Sequence, residues 1–121
     1  MANTRELLDK DRKYLWHPFT QMKDWMEADN TVIERAEGVY LYDTDGNRYI
    51  DGVSSIWCNV HGHRRKEIDA AVKKQLDKVA HTTMLGLANV PAIELGARLV
   101  KIAPAGLKRV FYSDSGSEAV E

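Results

Sequence analysis

The segment Arg109-Val110-Phe111-Tyr112 is a short apolar run with helical sequence before it and the start of another helix after it. Helix, strand, helix in that order is the rhythm of a parallel α/β sheet. A strand of such a sheet is covered on both faces and needs neighbouring strands to pair with. No second strand of that kind is legible in the 121 residues, and the new helix has barely begun at Glu121. The pattern does not close, so the expectation is a truncated α/β chain.

The first half reads differently. Thr4 to Tyr14 is a charged stretch with Leu7, Leu8 and Leu15 as apolar positions, which predicts a short helix. Pro18 makes Leu15-Trp16-His17-Pro18-Phe19-Thr20 an extended segment, because proline pushes its predecessor out of the helical region. Thr31-Val32-Ile33-Glu34, Val39-Tyr40-Leu41-Tyr42 and Arg48-Tyr49-Ile50 are β-branched or aromatic runs. Glu37-Gly38 and Asp45-Gly46-Asn47 punctuate them as turns, which predicts a three-stranded antiparallel meander. From Val53 to His63 no periodicity is legible. A helix is then expected from about Lys66 to Ala80, with Ile68, Ala71, Val72, Gln75, Leu76 and Val79 on one face. Asn89 can cap a second helix, with Pro91 in its first turn and Pro104 with Gly106 ending it.

Composition excludes several classes of function. Apolar residues make up 44 % and charged residues 29 % of the chain, as in a soluble globular protein. A net charge of −1 leaves no electrostatic footprint for nucleic acid. No apolar run approaches the ~20 residues of a membrane helix. Charges are scattered through the N-terminal stretch, where a signal peptide has an apolar core, so the cytoplasm is the simplest placement. Cys58 is the only cysteine, which rules out an internal disulfide and a zinc site built from several thiolates.

The strongest chemical signal is Ser115-Gly116-Ser117, between a strand and a helix start. Backbone N–H groups in the first turn of a helix lack partners and carry partial positive charge. Gly116 permits close approach of a ligand, and serine hydroxyls can add donors to phosphate oxygens. An ordinary helix start explains the same residues, since Ser115 and Glu118 fit the S-x-x-E capping box. Those residues alone favour the cap. Neither a P-loop nor a dinucleotide-binding glycine pattern is present. His61-Gly62-His63 lacks an acidic or thiol group at ligand spacing and reads as structural. Cys58 beside Trp57 reads as a small buried apolar group, and Trp16 and Trp25 as packing anchors.

Context shifts the balance. Ser113-Asp114-Ser115-Gly116-Ser117-Glu118-Ala119-Val120-Glu121 closely resembles the phosphate-cradling segment of class III aminotransferases, fold-type I enzymes that use pyridoxal 5'-phosphate. Gly38 to Asp43, Asp45-Gly46, Tyr49-Ile50-Asp51-Gly52 and Gly62-His63 also resemble that family in order, so the likeness covers essentially the whole chain. It implies an α/β fold: the N-terminal part of a fold-type I transferase. Residues 1–60 would be the N-terminal segment and meander of the small domain, and 61–121 the start of the large cofactor-binding domain. It implies cofactor contacts at Gly116 and Ser117, with Ser115 a weaker candidate, and a homodimer.

Leu15-Trp16-His17-Pro18-Phe19-Thr20-Gln21-Met22 and Ser54-Ser55-Ile56-Trp57 are most similar to one branch, which aminates 8-amino-7-oxononanoate in biotin biosynthesis. In that branch the matching positions line the substrate pocket, which implies Phe19, Ile56 and Trp57. Some members have Tyr at the position of Phe19 and Trp at that of Ile56. The usual amino donor of the branch is S-adenosylmethionine, and some relatives use lysine. The cofactor-carrying lysine and the acid facing the pyridine nitrogen lie well downstream in the family, so no catalytic residue is assigned among these 121. Another class III ω-aminotransferase and a non-enzymatic phosphate-binding module remain the alternatives.

Overall fold

In the computed structural model, which describes residues 3–121, the meander is present as β1 (Ile33–Glu37), β2 (Tyr40–Asp43) and β3 (Arg48–Ile50). The strands pair antiparallel in the order β1-β2-β3. β1 begins at Ile33, not Thr31, and its register shifts between Ile33 and Arg35, so Glu34 is the extra residue of a bulge.

Charged and aromatic groups hold this sheet. The Arg35 guanidinium lies 3.5 Å from the ring centre of its cross-strand partner Tyr42, and that of Arg48 lies 4.5 Å from Tyr40. Such contacts contribute about 0.5–1 kcal/mol each at exposed sites. The Asp43 carboxylate closes the β2–β3 turn. It accepts the N–H groups of Asp45 and Asn47, the Asn47 side-chain amide and the Tyr49 hydroxyl, all at 2.7–3.0 Å. Those donors, the Asn47 amide first, hold the Asp43 carboxyl below its ordinary range. The Thr4 hydroxyl, from the start of α1 (Thr4–Tyr14), reaches this turn at Thr44 (2.8 Å) and Asp45 (2.6 Å).

The remaining helices follow local signals, with two departures. α2 (Met22–Glu27) was not legible as a helix; Gln21 caps it by accepting the Lys23 N–H at 3.2 Å. After a short turn, α3 (Ser54–Trp57), comes α4 (Lys66–Leu76), which stops before the expected Ala80. The Lys78 and Val79 N–H groups both turn back to Gln75 O, and the Gln75 amide donates to Val79 O. α5 (Val90–Ile102) begins as expected, with Asn89 Oδ1 accepting from Ala92 N at 3.0 Å and Pro91 in the first turn. α6 (Gly116–Val120) is the last element.

The chain forms two compact units, one reaching to Lys74 and one spanning Gln75–Glu121. Within the second, Arg109–Tyr112 has no ladder partner among the described residues, which corrects the expected strand. A strand exists through its ladder, and only Tyr112 is tied back, its hydroxyl donating to Ala92 O at 2.6 Å. Beside it, Ile93, Ala97 and Val100 of α5 and Val110 line an open groove of about 550 Å³.

Taken as whole residues, only Asp43 and Thr44 are buried among the described residues, and no apolar residue is. Apolar burial is the main favourable term in folding, so the units lack the usual source of cooperativity. The 121-residue chain in isolation is expected to bind the dye ANS and to melt without a cooperative heat-absorption peak. A single sharp calorimetric transition with no dye binding would contradict this.

Candidate functional site

The stretch without periodicity holds the most unusual backbone in the chain. Ser54, Ser55, Ile56 and Trp57 all have positive φ, at 51°, 48°, 58° and 66°. Trp57 N–H donates to Val53 O at 2.9 Å and Cys58 N–H to Ser54 O. Asn59 N–H donates to Ser54 O at 3.0 Å. α3 is thus one turn of left-handed helix. For L-residues this hand costs roughly 1–2 kcal/mol per residue, because Cβ crowds the following carbonyl. A β-branched residue such as Ile56 is least suited to it. Strain of this kind persists only where surrounding structure over-determines it.

Asp51, just past the end of β3, supplies that restraint. Its Oδ1 accepts the Ser55 N–H at 2.8 Å, and its Oδ2 accepts the Ser55 hydroxyl at 2.8 Å and meets His63 Nε2 at 2.8 Å. The Asp51 side chain is 5 % exposed and that of His63 14 %. The Ser55 N–H, then its hydroxyl, and His63 beside them hold the Asp51 carboxyl below its ordinary value of 3.8. The result is that Ile56 and Trp57 stand out from the chain, with Trp57 82 % exposed.

Phe19, the third expected pocket residue, also has positive φ (51°), and its side chain is fully exposed. The loop that carries it is fixed from Asp11 of α1. Asp11 Oδ1 meets His17 Nε2 at 2.8 Å, and Oδ2 accepts the Trp25 indole N–H at 2.7 Å. His17 and Trp25 lie against each other, with ring centres 4.1 Å apart. The Trp25 indole foremost, with His17 and Arg12, holds the Asp11 carboxyl below its ordinary range. Trp25 is a packing anchor as expected, whereas Trp16 is exposed in this chain. Phe19 and Trp57 do not stack on each other among the described residues.

Cys58 is exposed, contrary to the sequence expectation, because the left-handed turn leaves it outside any packed surface; its thiol points to Ile56 O at 3.4 Å. Asp11, Asp51 and His63 were not singled out as site residues from sequence. Asp51-Gly52 reads as a turn, and nothing in the pattern ties it to a histidine twelve residues on.

In the second unit, Ser115 caps α6, its Oγ accepting the Glu118 N–H at 3.2 Å. The Glu118 carboxylate accepts from Asp114 N at 3.4 Å, a capping box displaced by one residue. The cap leaves the Gly116 and Ser117 N–H groups and the Ser117 hydroxyl without protein partners among the described residues. A Cβ built on Gly116 would meet nothing within 4 Å, so the approach to those N–H groups is open. An anionic phosphate matches three outward donors at a helix start.

Both Asp51 and Asp11 are held below their ordinary range, so both contribute order that is complete above that range and lost as pH falls through the lowered values. α3 and the Phe19 loop are therefore expected to stay ordered at about pH 5 and to open only below about pH 4. Amide exchange of Trp57 and Asn59 as a function of pH checks this. Opening already near neutral pH, or protection that acid leaves unchanged, would contradict the assignment.

Residues 22–121 match the sequence profile of the Aminotransferase class-III family. The chain is 62 % identical over 120 residues to adenosylmethionine-8-amino-7-oxononanoate aminotransferase of Nitratidesulfovibrio vulgaris, covering 99 % of this chain and 22 % of that protein. It superposes on the crystal structure of the enzyme of that name from Methanocaldococcus jannaschii with a TM-score of 0.93 at 54 % identity, covering 98 % of this chain and 27 % of that one. It also superposes on the ω-transaminase of Pseudomonas jessenii in complex with PMP, with a TM-score of 0.87 at 32 % identity over 94 % of this chain and 25 % of that one. The chain thus spans about a quarter of the length of these relatives. With a profile match over most of its length, and a fold shared with solved transaminases, the chain belongs to the class III aminotransferase family.

Proposed function

We propose that this chain is the N-terminal part of a pyridoxal-phosphate-dependent aminotransferase that converts 8-amino-7-oxononanoate to 7,8-diaminononanoate in biotin biosynthesis. The observation that carries the reading is that Phe19, Ile56 and Trp57 are three of the six non-glycine residues with positive φ among the described residues, the others being Ser54, Ser55 and Arg64. The first three are the residues that the family resemblance puts at the substrate, and all three side chains are exposed. The similarity to relatives named for this reaction supports it.

Each group has a physical task. Gly116 and Ser117 offer backbone N–H donors, and Ser117 adds a hydroxyl, to the cofactor phosphate. The Ser115 hydroxyl accepts from Glu118 and so orients the donors beside it. Phe19, Ile56 and Trp57 present apolar surface along the acceptor's hydrocarbon chain and keep water from it. Bound pyridoxal phosphate supplies the electron-sink chemistry of transamination. The lysine that carries the cofactor is not among the residues assigned in this chain. S-adenosylmethionine is the amino donor in this reading. Residues 1–60 contribute to a small domain and 61–121 begin the cofactor domain of a cytoplasmic homodimer.

Two experiments test the reading. The 121-residue chain alone is expected to show no transaminase turnover, whereas the full-length protein is expected to aminate 8-amino-7-oxononanoate with S-adenosylmethionine. Turnover with lysine alone would change the donor, and failure with every donor would overturn the biotin assignment. Ser117→Ala in the full-length protein removes one hydrogen bond to a charged group, worth about 1.5–3 kcal/mol, so cofactor Kd should rise about 10- to 150-fold. An unchanged Kd would remove Ser117 from the phosphate site.

A further inference from the structure

We propose that Asp51 and His63 are a positioning pair, holding the Ser54–Trp57 turn in its left-handed form and thereby setting where Ile56 and Trp57 meet the substrate. The role given to those two side chains rests on the function proposed above; the restraint on the turn does not.

The pair is built into the first unit from three sides. Asp51 follows β3, and its N–H donates to Val39 O at 2.9 Å, tying it to the β1–β2 hairpin. His63 exchanges two backbone hydrogen bonds with Gly38 of the same hairpin, its N–H to Gly38 O at 2.7 Å and its C=O from Gly38 N at 3.0 Å. A Cβ on Gly62 would lie 3.0 Å from Gly38 O, so the close approach that brings His63 in depends on glycine. Both ends of the Asp51–His63 contact are thus anchored to the meander, and the free edge of the carboxylate points at Ser55.

Both side chains are largely shielded, that of Asp51 5 % and that of His63 14 % exposed. The cavity that Asp51 and His63 help to line, together with Val39, Ser54, Asn59 and Val60, has a volume of only about 80 Å³. Small-molecule sites are several times larger. The pair therefore acts through the turn and not on reacting atoms. Its work is conformational: in a right-handed turn Ile56 and Trp57 would leave from a different side of the backbone.

The test uses the full-length enzyme with five variants and two readouts, amide exchange across residues 54–59 and steady-state kinetics. Asp51→Asn replaces one acceptor oxygen by a donor and should speed exchange of Trp57, Cys58 and Asn59 at least tenfold. It should raise KM for 8-amino-7-oxononanoate about tenfold with kcat changed less than about threefold, the signature of lost ground-state positioning. His63→Gln keeps an N–H donor and should retain protection where His63→Leu does not. Adding Ser54→Gly to Asp51→Asn should recover much of the KM, because glycine adopts positive φ without cost. If Asp51→Asn does not fold, the two His63 variants carry the comparison. Unchanged exchange in Asp51→Asn and in His63→Leu would overturn the pair. Faster exchange with no change in KM, together with a Trp57→Ala variant of normal KM, would uphold the restraint and defeat the substrate role of the turn.

Discussion

Asp51 is the point at which three otherwise separate segments meet. One carboxylate accepts a backbone N–H and a hydroxyl from Ser55 and contacts the imidazole of His63. Without it, a left-handed turn of four L-residues has little to oppose its steric cost, which is of the order of several kcal/mol in sum. The first unit lacks a buried apolar residue among those described, so that cost cannot be offset by burial there. Polar contacts with good geometry carry the burden, and they do so where water is largely excluded, since the Asp51 side chain is almost buried.

The same device recurs at Phe19. There Asp11 joins His17 and Trp25, as Asp51 joins Ser55 and His63, and in both places an exposed hydrophobic residue with positive φ is the result. A carboxylate that accepts from two partners fixes a loop by direction as well as by energy. Loops positioned by a rigid scaffold are where binding residues concentrate. The meander is that scaffold, stiffened by the Asp43 turn and the Arg–Tyr contacts across its strands.

Much of this architecture was legible in the sequence. The Asp45-Gly46-Asn47 turn, the three strands, α1 and the Asn89 cap of α5 are local signals whose physics is complete within a few residues. Family resemblance, not periodicity, pointed to Phe19, Ile56 and Trp57. The left-handed turn was not legible, because Ser-Ser-Ile-Trp carries no intrinsic preference for positive φ; a carboxylate and a histidine on other segments impose it. The same holds for α2, which lacks a long periodic face, and for Arg109–Tyr112, whose strand character depends on a partner this chain does not offer. Exposed Cys58 follows from the turn as well. At Ser115-Gly116-Ser117 both readings of the sequence are compatible: Ser115 is the cap, and capping one donor leaves the next two N–H groups directed outward.

In the proposed function, a strained, polar-clamped turn presents apolar side chains to the acceptor's hydrocarbon chain. A crystal structure of the full-length enzyme with 8-amino-7-oxononanoate bound tests it most directly. The expected result is Ser54–Trp57 with positive φ at all four residues, Asp51 bonded to Ser55 and His63, and the acceptor's methylenes against Trp57 and Phe19. A right-handed turn, or a substrate chain lying away from both aromatic rings, would contradict it.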